Sequence, residues 1–127
     1  MKPETPHAET EVFACPVTIT VDVIGGKWKA LILFYLMTGT LRFNELRRSI
    51  PEVSQRMLTL QLRELEADNI IIRKVYREVP PKVEYSLAPL GLTLVPLIRA
   101  MRDWGATYED VIKTSRKISI DKSKIET

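Results

Sequence analysis

One cysteine and one histidine are all that 127 residues provide of those two types. Cys15 alone closes no disulfide within the chain, so the disulfide-stapled class of small secreted domain is excluded. Cys15 and His7 together fall short of a metal-ligand cluster, and no metal is expected. His7 sits in a polar, proline-containing lead-in, so no Ser-His-Asp or Cys-His arrangement has its base in a folded context. The 5 glycines form no phosphate-cradling loop. Acidic residues are scattered over helix surfaces rather than paired. An enzyme is therefore not expected, nor a cofactor. No apolar run approaches the roughly 20 residues that span a bilayer. The opening Met1-Lys2-Pro3-Glu4-Thr5-Pro6-His7 lacks the apolar segment of a signal peptide. The cytoplasm is the expected compartment.

What is present is ordinary globular material. Hydrophobic residues make up 45% and charged residues 28%, enough for one domain with a real core. The net charge of +3 and a pI near 9.1 permit a nucleic-acid partner without requiring one.

The pattern along the chain sets out the elements. Residues 1–14 read as a flexible segment, 15–112 as a single domain and 113–127 as a flexible basic tail. Cys15-Pro16 resembles a helix start, with the proline where a missing N–H costs nothing. Val17 to Ile24 is apolar and β-branched, which suits a helix or a strand until Gly25-Gly26 ends it. Lys27 to Met37 forms a helix with Trp28, Leu31, Ile32, Tyr35 and Leu36 buried. Arg42 to Ser49 is a short helix, with Phe43, Leu46 and Ile50 inward, stopped by Pro51. Ser54 is a good N-cap for the next helix. Residues 42–66 therefore spell helix, brief turn, helix. Ile70–Val75 and Val83–Leu87 make a β-hairpin around Pro80-Pro81, placed as a wing. Pro89 is expected to open a long final helix in which Pro96 or Gly105 introduces a kink. Leu90, Leu94, Leu97, Met101, Trp104, Tyr108 and Val111 step by four and three along it, a heptad seam longer than one small domain needs. The fold class is mainly α with a small β-hairpin (α+β), a winged helix-turn-helix.

Residues 54–66 are the most informative stretch. Leu58, Leu62 and Leu65 share one side of the helix, with Met57 and Gln61 at its margin. Gln55, Arg56, Thr59 and Arg63 share the other. Gln and Arg are the side chains that pair in two-point fashion with adenine and guanine edges in the major groove. A merely solvated helix face usually carries Lys and Glu. The division of labour expected is Ser54 on a phosphate, Gln55, Arg56 and Thr59 on base edges, and Arg63 on a base or a phosphate. Lys82, Arg77 and Arg73 on the hairpin are either solvated charges or placed for phosphates or the minor groove, Lys82 foremost.

The chain resembles the HxlR-type family of bacterial winged helix-turn-helix transcriptional regulators. The resemblance runs through Cys15-Pro16-Val17, Ile24-Gly25-Gly26-Lys27-Trp28, Arg42-Phe43-Asn44-Glu45-Leu46, Leu62-Arg63-Glu64-Leu65-Glu66 and the wing Val79-Pro80-Pro81-Lys82-Val83-Glu84-Tyr85. It ends with Leu90-Gly91 and Trp104-Gly105, and covers about 90 of the 127 residues. It implies a homodimer joined through the first and last helices, with Leu94, Leu97, Met101, Trp104 and Tyr108 at the interface. Each subunit then inserts a recognition helix into double-stranded DNA. Two-fold symmetry implies a palindromic operator with half-sites roughly 34 Å, or a multiple, apart. The family commonly has Thr before the proline of the last helix, where this chain has Ala88, so a cap worth on the order of 1 kcal/mol is missing.

Some relatives sense oxidants or electrophiles through an N-terminal cysteine, and Cys15 matches that position. A helix N-terminus favours the thiolate; a small packing or capping residue is the plainer use. With no second cysteine, a disulfide has to join two subunits or a small thiol. The competing function for the same scaffold is a protein-interaction module, and a third is nonspecific coating of DNA. An acidic recognition face would have argued for the module. Trp28, Trp104 and Tyr108 suit core packing better than a small aromatic effector, and no effector is read from the sequence.

Overall fold

The computed structural model describes the backbone of residues 15–126 and the side chains of residues 15–116. The expected flexible lead-in over 1–14, with His7, lies outside the described residues.

Helix α1 spans Pro16–Ile24. Cys15 precedes it in an extended conformation and Pro16 takes the first helical position. Between helix and strand the β-branched run resolves as helix, with the Thr20 hydroxyl donating to the Pro16 carbonyl at 3.1 Å. Gly26 then turns the chain at φ +87°, a left-handed conformation that costs glycine nothing. Helix α2, Lys29–Leu36, is central: Ile32, Leu33 and Leu36 are all buried.

Strand β1 is only Leu41–Arg42, too short to carry a sequence pattern, and the sequence reading starts a helix there instead. Helix α3, Phe43–Ser49, follows; the Arg42 N–H donates to Glu45 Oε1 at 2.7 Å and holds its first turn. Helix α4 is Gln55–Ala67. Its C-terminus closes with Asn69 at φ 62°, the Ile70 N–H donating back to the Leu65 carbonyl and the Asn69 N–H to the Glu66 carbonyl. This is the Schellman arrangement, in which a left-handed residue satisfies the last carbonyls.

Strands β2, Ile71–Tyr76, and β3, Lys82–Leu87, form the hairpin, one residue longer at each tip-side end than its sequence pattern. The sheet is antiparallel in the order β1-β3-β2, with Arg73 opposite Tyr85 and Tyr76 opposite Lys82. Ile71 and Tyr85 face inward. Leu46, Ile50, Val53, Leu58, Leu62 and Leu65 complete the core between α3 and α4.

The last segment departs from the expected single helix. Helix α5 covers only Pro89–Leu92, capped by Ala88 without a side-chain bond. Gly91 lies against the Ile70 carbonyl so closely that a Cβ would collide with it. Helix α6 starts afresh at Val95 and runs to Glu126. The restart has a physical cause: Pro96 lacks an N–H to donate to a carbonyl one turn earlier, so it belongs in a first turn. Pro96 is thus not an interior kink. The helical backbone also continues past residue 112, where the sequence reads as tail.

Residues up to Thr93 form one compact unit and those from Leu94 a second. Within α6, Leu97, Met101, Trp104, Tyr108 and Val111 are exposed, and the Trp104 and Tyr108 rings stack at 5.2 Å between centroids. Leu90 falls in α5 and Leu94 between the two helices, so the unbroken seam begins at Leu97. No helix among the described residues is long and apolar enough to cross a membrane.

Candidate nucleic-acid interface

The back of α4 fixes its front. Leu58 and Leu65 have no exposed surface and Leu62 has 2%. An ion pair of 2.7 Å between Lys29 Nζ and Glu64 Oε1 ties α4 to α2. Burial of three leucines contributes several kcal/mol of transfer free energy and removes rotational freedom from the helix. The residues facing away are therefore presented in a fixed order.

At the N-terminus the Ser54 hydroxyl accepts the Met57 N–H at 3.0 Å, so its oxygen serves the helix and its own hydrogen remains free for an outside acceptor. Gln55, Arg56, Met57, Thr59, Leu60 and Arg63 line, with Ser54, an open depression of about 660 Å³ along the helix. Thr59 donates its hydroxyl hydrogen to the Gln55 carbonyl at 2.9 Å. What Thr59 offers outward is thus an acceptor oxygen and a methyl group, suited to a base amino group or a thymine methyl. Among the described residues, no carboxylate pairs with Arg56 or Arg63. All five residues expected on this face, Ser54, Gln55, Arg56, Thr59 and Arg63, are brought together.

The wing is arranged differently. Lys82 Nζ stands 3.9 Å from Glu84 Oε2 and 4.3 Å from the centroid of the Tyr76 ring. Lys74 approaches the same ring at 4.9 Å. Cation–π attraction and the ion pair hold Lys82 along the hairpin rather than extended from its tip. Arg77 lies in the turn and is exposed.

Two features escaped the sequence reading. Leu60 is 45% exposed on the recognition face, an apolar side chain among polar ones. Arg73, read as a hairpin cation either solvated or set on DNA, lines a second depression of about 320 Å³ with Thr59, Leu62, Arg63, Glu66 and Tyr85, a placement that escaped the sequence. A period-two strand pattern places Arg73 on the Ile71 face but does not say that this face meets α4.

The HxlR-like helix-turn-helix family model matches residues 23–113. The chain belongs to that family. Its function follows: it is a DNA-binding transcriptional regulator. Two similar HxlR-like proteins are the helix-turn-helix-type transcriptional regulators YdeP and YybR of Bacillus subtilis strain 168. YdeP is 59% identical over 106 residues, covering 84% of this chain and 83% of its own. YybR is 53% identical over 110 residues, covering 87% and 88%. Among solved structures, the redox regulator HypR in its reduced form is 55% identical with a TM-score of 0.75, over 79% of this chain and 99% of that one. HypR in its oxidised form is 58% identical with a TM-score of 0.71, over 73% and 96%.

The one cysteine lies outside the span that the family model matches. Cys15 is exposed, immediately before α1, and its side chain makes no cap bond.

Proposed function

We propose that two copies of this regulator bind a palindromic operator, each laying the N-terminal half of α4 in the major groove and the wing beside the flanking backbone, and thereby repress transcription next to the chromosome in the cytoplasm. The observation that carries this reading is the unpaired donor set on α4. Gln55, Arg56 and Arg63 stand outward from a helix whose opposite side is fully buried. Groups with hydrogen-bonding capacity that the protein does not use itself are available to base edges and phosphates. Pairing of two copies accounts for the apolar surface left open. Leu97, Met101, Trp104, Tyr108 and Val111 on α6, and Val17, Ile19 and Val21 on α1, are between 38% and 67% exposed. Apolar stripes of this kind mark association sites.

Cys15 favours a second layer to this reading, control by oxidation. Its exposure and free side chain leave the sulfur open to small oxidants. Its relative HypR is a redox regulator solved in oxidised and reduced forms. In a chain with one cysteine, the oxidised product joins Cys15 to a second subunit's Cys15 or to a small thiol. Two thiols lose two protons and two electrons to the oxidant as the S–S bond forms.

The test is fluorescence anisotropy with duplex DNA from upstream of the protein's own gene against a scrambled duplex, across a salt series, before and after diamide. The expected result is a preference that persists at physiological salt, with two protomers per duplex. Diamide treatment should abolish binding, reductant should restore it, and Cys15→Ser should not respond. Equal, steeply salt-sensitive affinity for both duplexes overturns operator recognition. Unchanged binding after diamide overturns the sensor reading alone.

A further inference from the structure

The depression between α4 and the sheet is built from two elements and carries two cations. Arg63 comes from α4 and Arg73 from β2; both are exposed, and among the described residues neither is paired with a carboxylate. Tyr85, buried opposite Arg73, and Leu62, buried under Arg63, hold the two backbones in place. Glu66 lines the same depression. Two guanidiniums that line one depression from separate elements, with no carboxylate partner among the described residues, suit an anion, because each fork matches a phosphate oxygen pair.

Geometry decides which anion. Nine residues separate Ser54 from Arg63, about 13 Å along the axis at 1.5 Å per residue. The major groove is about 12 Å wide. With the N-terminus of α4 at the bases, Arg63 therefore reaches the lip of the groove, where a backbone phosphate lies. Arg73 approaches the same point from the sheet side.

We propose that Arg63 and Arg73 together clamp a single DNA phosphate at the edge of the major groove, so that neither reads sequence. The inference rests on the DNA-binding reading above and assigns Arg63, which the sequence leaves between base and phosphate, to the backbone. Glu66 opposes the clamp, limiting the grip on DNA of any sequence.

Salt dependence separates this arrangement from its alternatives, since each neutralised phosphate adds about 0.9 to the slope of log affinity against log salt. The measurement is the anisotropy titration of the full chain on operator and scrambled duplexes from about 0.05 to 0.3 M salt. The double variant R63A/R73A should lose about 1.8 from the slope on both duplexes, one phosphate for each of the two bound protomers, which is about thirtyfold in affinity at 0.15 M salt referred to 1 M. Each single variant should lose less, because the other arginine keeps the phosphate. E66Q should tighten binding to both duplexes. A slope loss of about 3.6 in the double variant means two separate phosphates per protomer and overturns the shared clamp. A loss confined to the operator means base readout and overturns it too, as does no loss at all. Wild-type protein that binds neither duplex overturns the DNA-binding reading itself, a distinct result visible before any variant is made. Both arginines are exposed, so the variants should fold, and circular dichroism checks this.

Discussion

The arginines of the recognition helix and the lysines of the wing all face outward, yet they are held in opposite states. Arg56 and Arg63 on α4 have no acidic partner among the described residues, while Lys82 on the wing is engaged by Glu84 at 3.9 Å and by the Tyr76 ring at 4.3 Å. The supporting structure differs in the same sense. Helix α4 rests on three leucines with 2% exposure or less, whereas Val75 and Val79 of the wing are 50% and 100% exposed. A rigid element with free donors is prepared to discriminate, since contacts that fit one base and not another require fixed positions. A lightly packed element whose lysines are occupied adjusts to a backbone of uniform charge. The difference teaches that the count of basic residues does not locate specificity; their existing partners do.

The largest expected effect tests the rigidity half of that contrast. Leu62→Ala removes a fully packed side chain from under the recognition face and should lower unfolding stability by roughly 2–5 kcal/mol. Val75→Ala in the wing, at a half-open position, should change stability by no more than about 0.5 kcal/mol. Urea denaturation followed by circular dichroism measures both. Equal losses would mean that the wing is packed as firmly as the helix, and the contrast would rest on charge alone.

Next in size is Arg56→Ala. It should weaken operator binding by about 1–3 kcal/mol and relax sequence preference. The ratio of operator to scrambled affinity is the readout. If that ratio is unchanged, Arg56 serves the backbone, and the helix loses its distinction from the wing.

How much of this was legible in advance depends on the range of each interaction. The stripe of Leu58, Leu62 and Leu65 and the Ser54 cap are local, within one helical repeat, and the sequence places them correctly. The hairpin was legible because strand alternation and a Pro-Pro turn are equally local. The short strand β1 was not, because Leu41 and Arg42 become a strand only by pairing with Tyr85 and Glu84, far along the chain. The break between α5 and α6 was hidden because heptad spacing carries across it, while the N–H that Pro96 lacks interrupts the helical ladder. At the candidate interface the same rule applies. The face of α4 follows from its wheel. The placing of Arg73 and Arg63 along one depression, and the capture of Lys82 by Tyr76 and Glu84, depend on cross-element geometry that no residue spacing encodes.

The smallest effect concerns that capture. An ion pair at this degree of exposure contributes at most about 1 kcal/mol, and the attraction of Lys82 to Tyr76 is of similar size. Releasing Lys82 to a phosphate therefore gives up about as much as it gains. Lys82→Ala should weaken DNA binding by less than about 1 kcal/mol, below the loss for Arg56→Ala. Glu84→Gln removes one of the two restraints and should make Lys82 more valuable. In a double-mutant cycle, Lys82→Ala should then weaken binding more in the Glu84→Gln background than in the native one. The cycle isolates the restraint because the same Lys82→Ala change is made in both backgrounds, so the effect of Glu84→Gln alone cancels. Identical losses in the two backgrounds would show that Glu84 does not hold Lys82 away from DNA. A native-background loss as large as that of Arg56→Ala would place the wing on equal terms with the recognition helix.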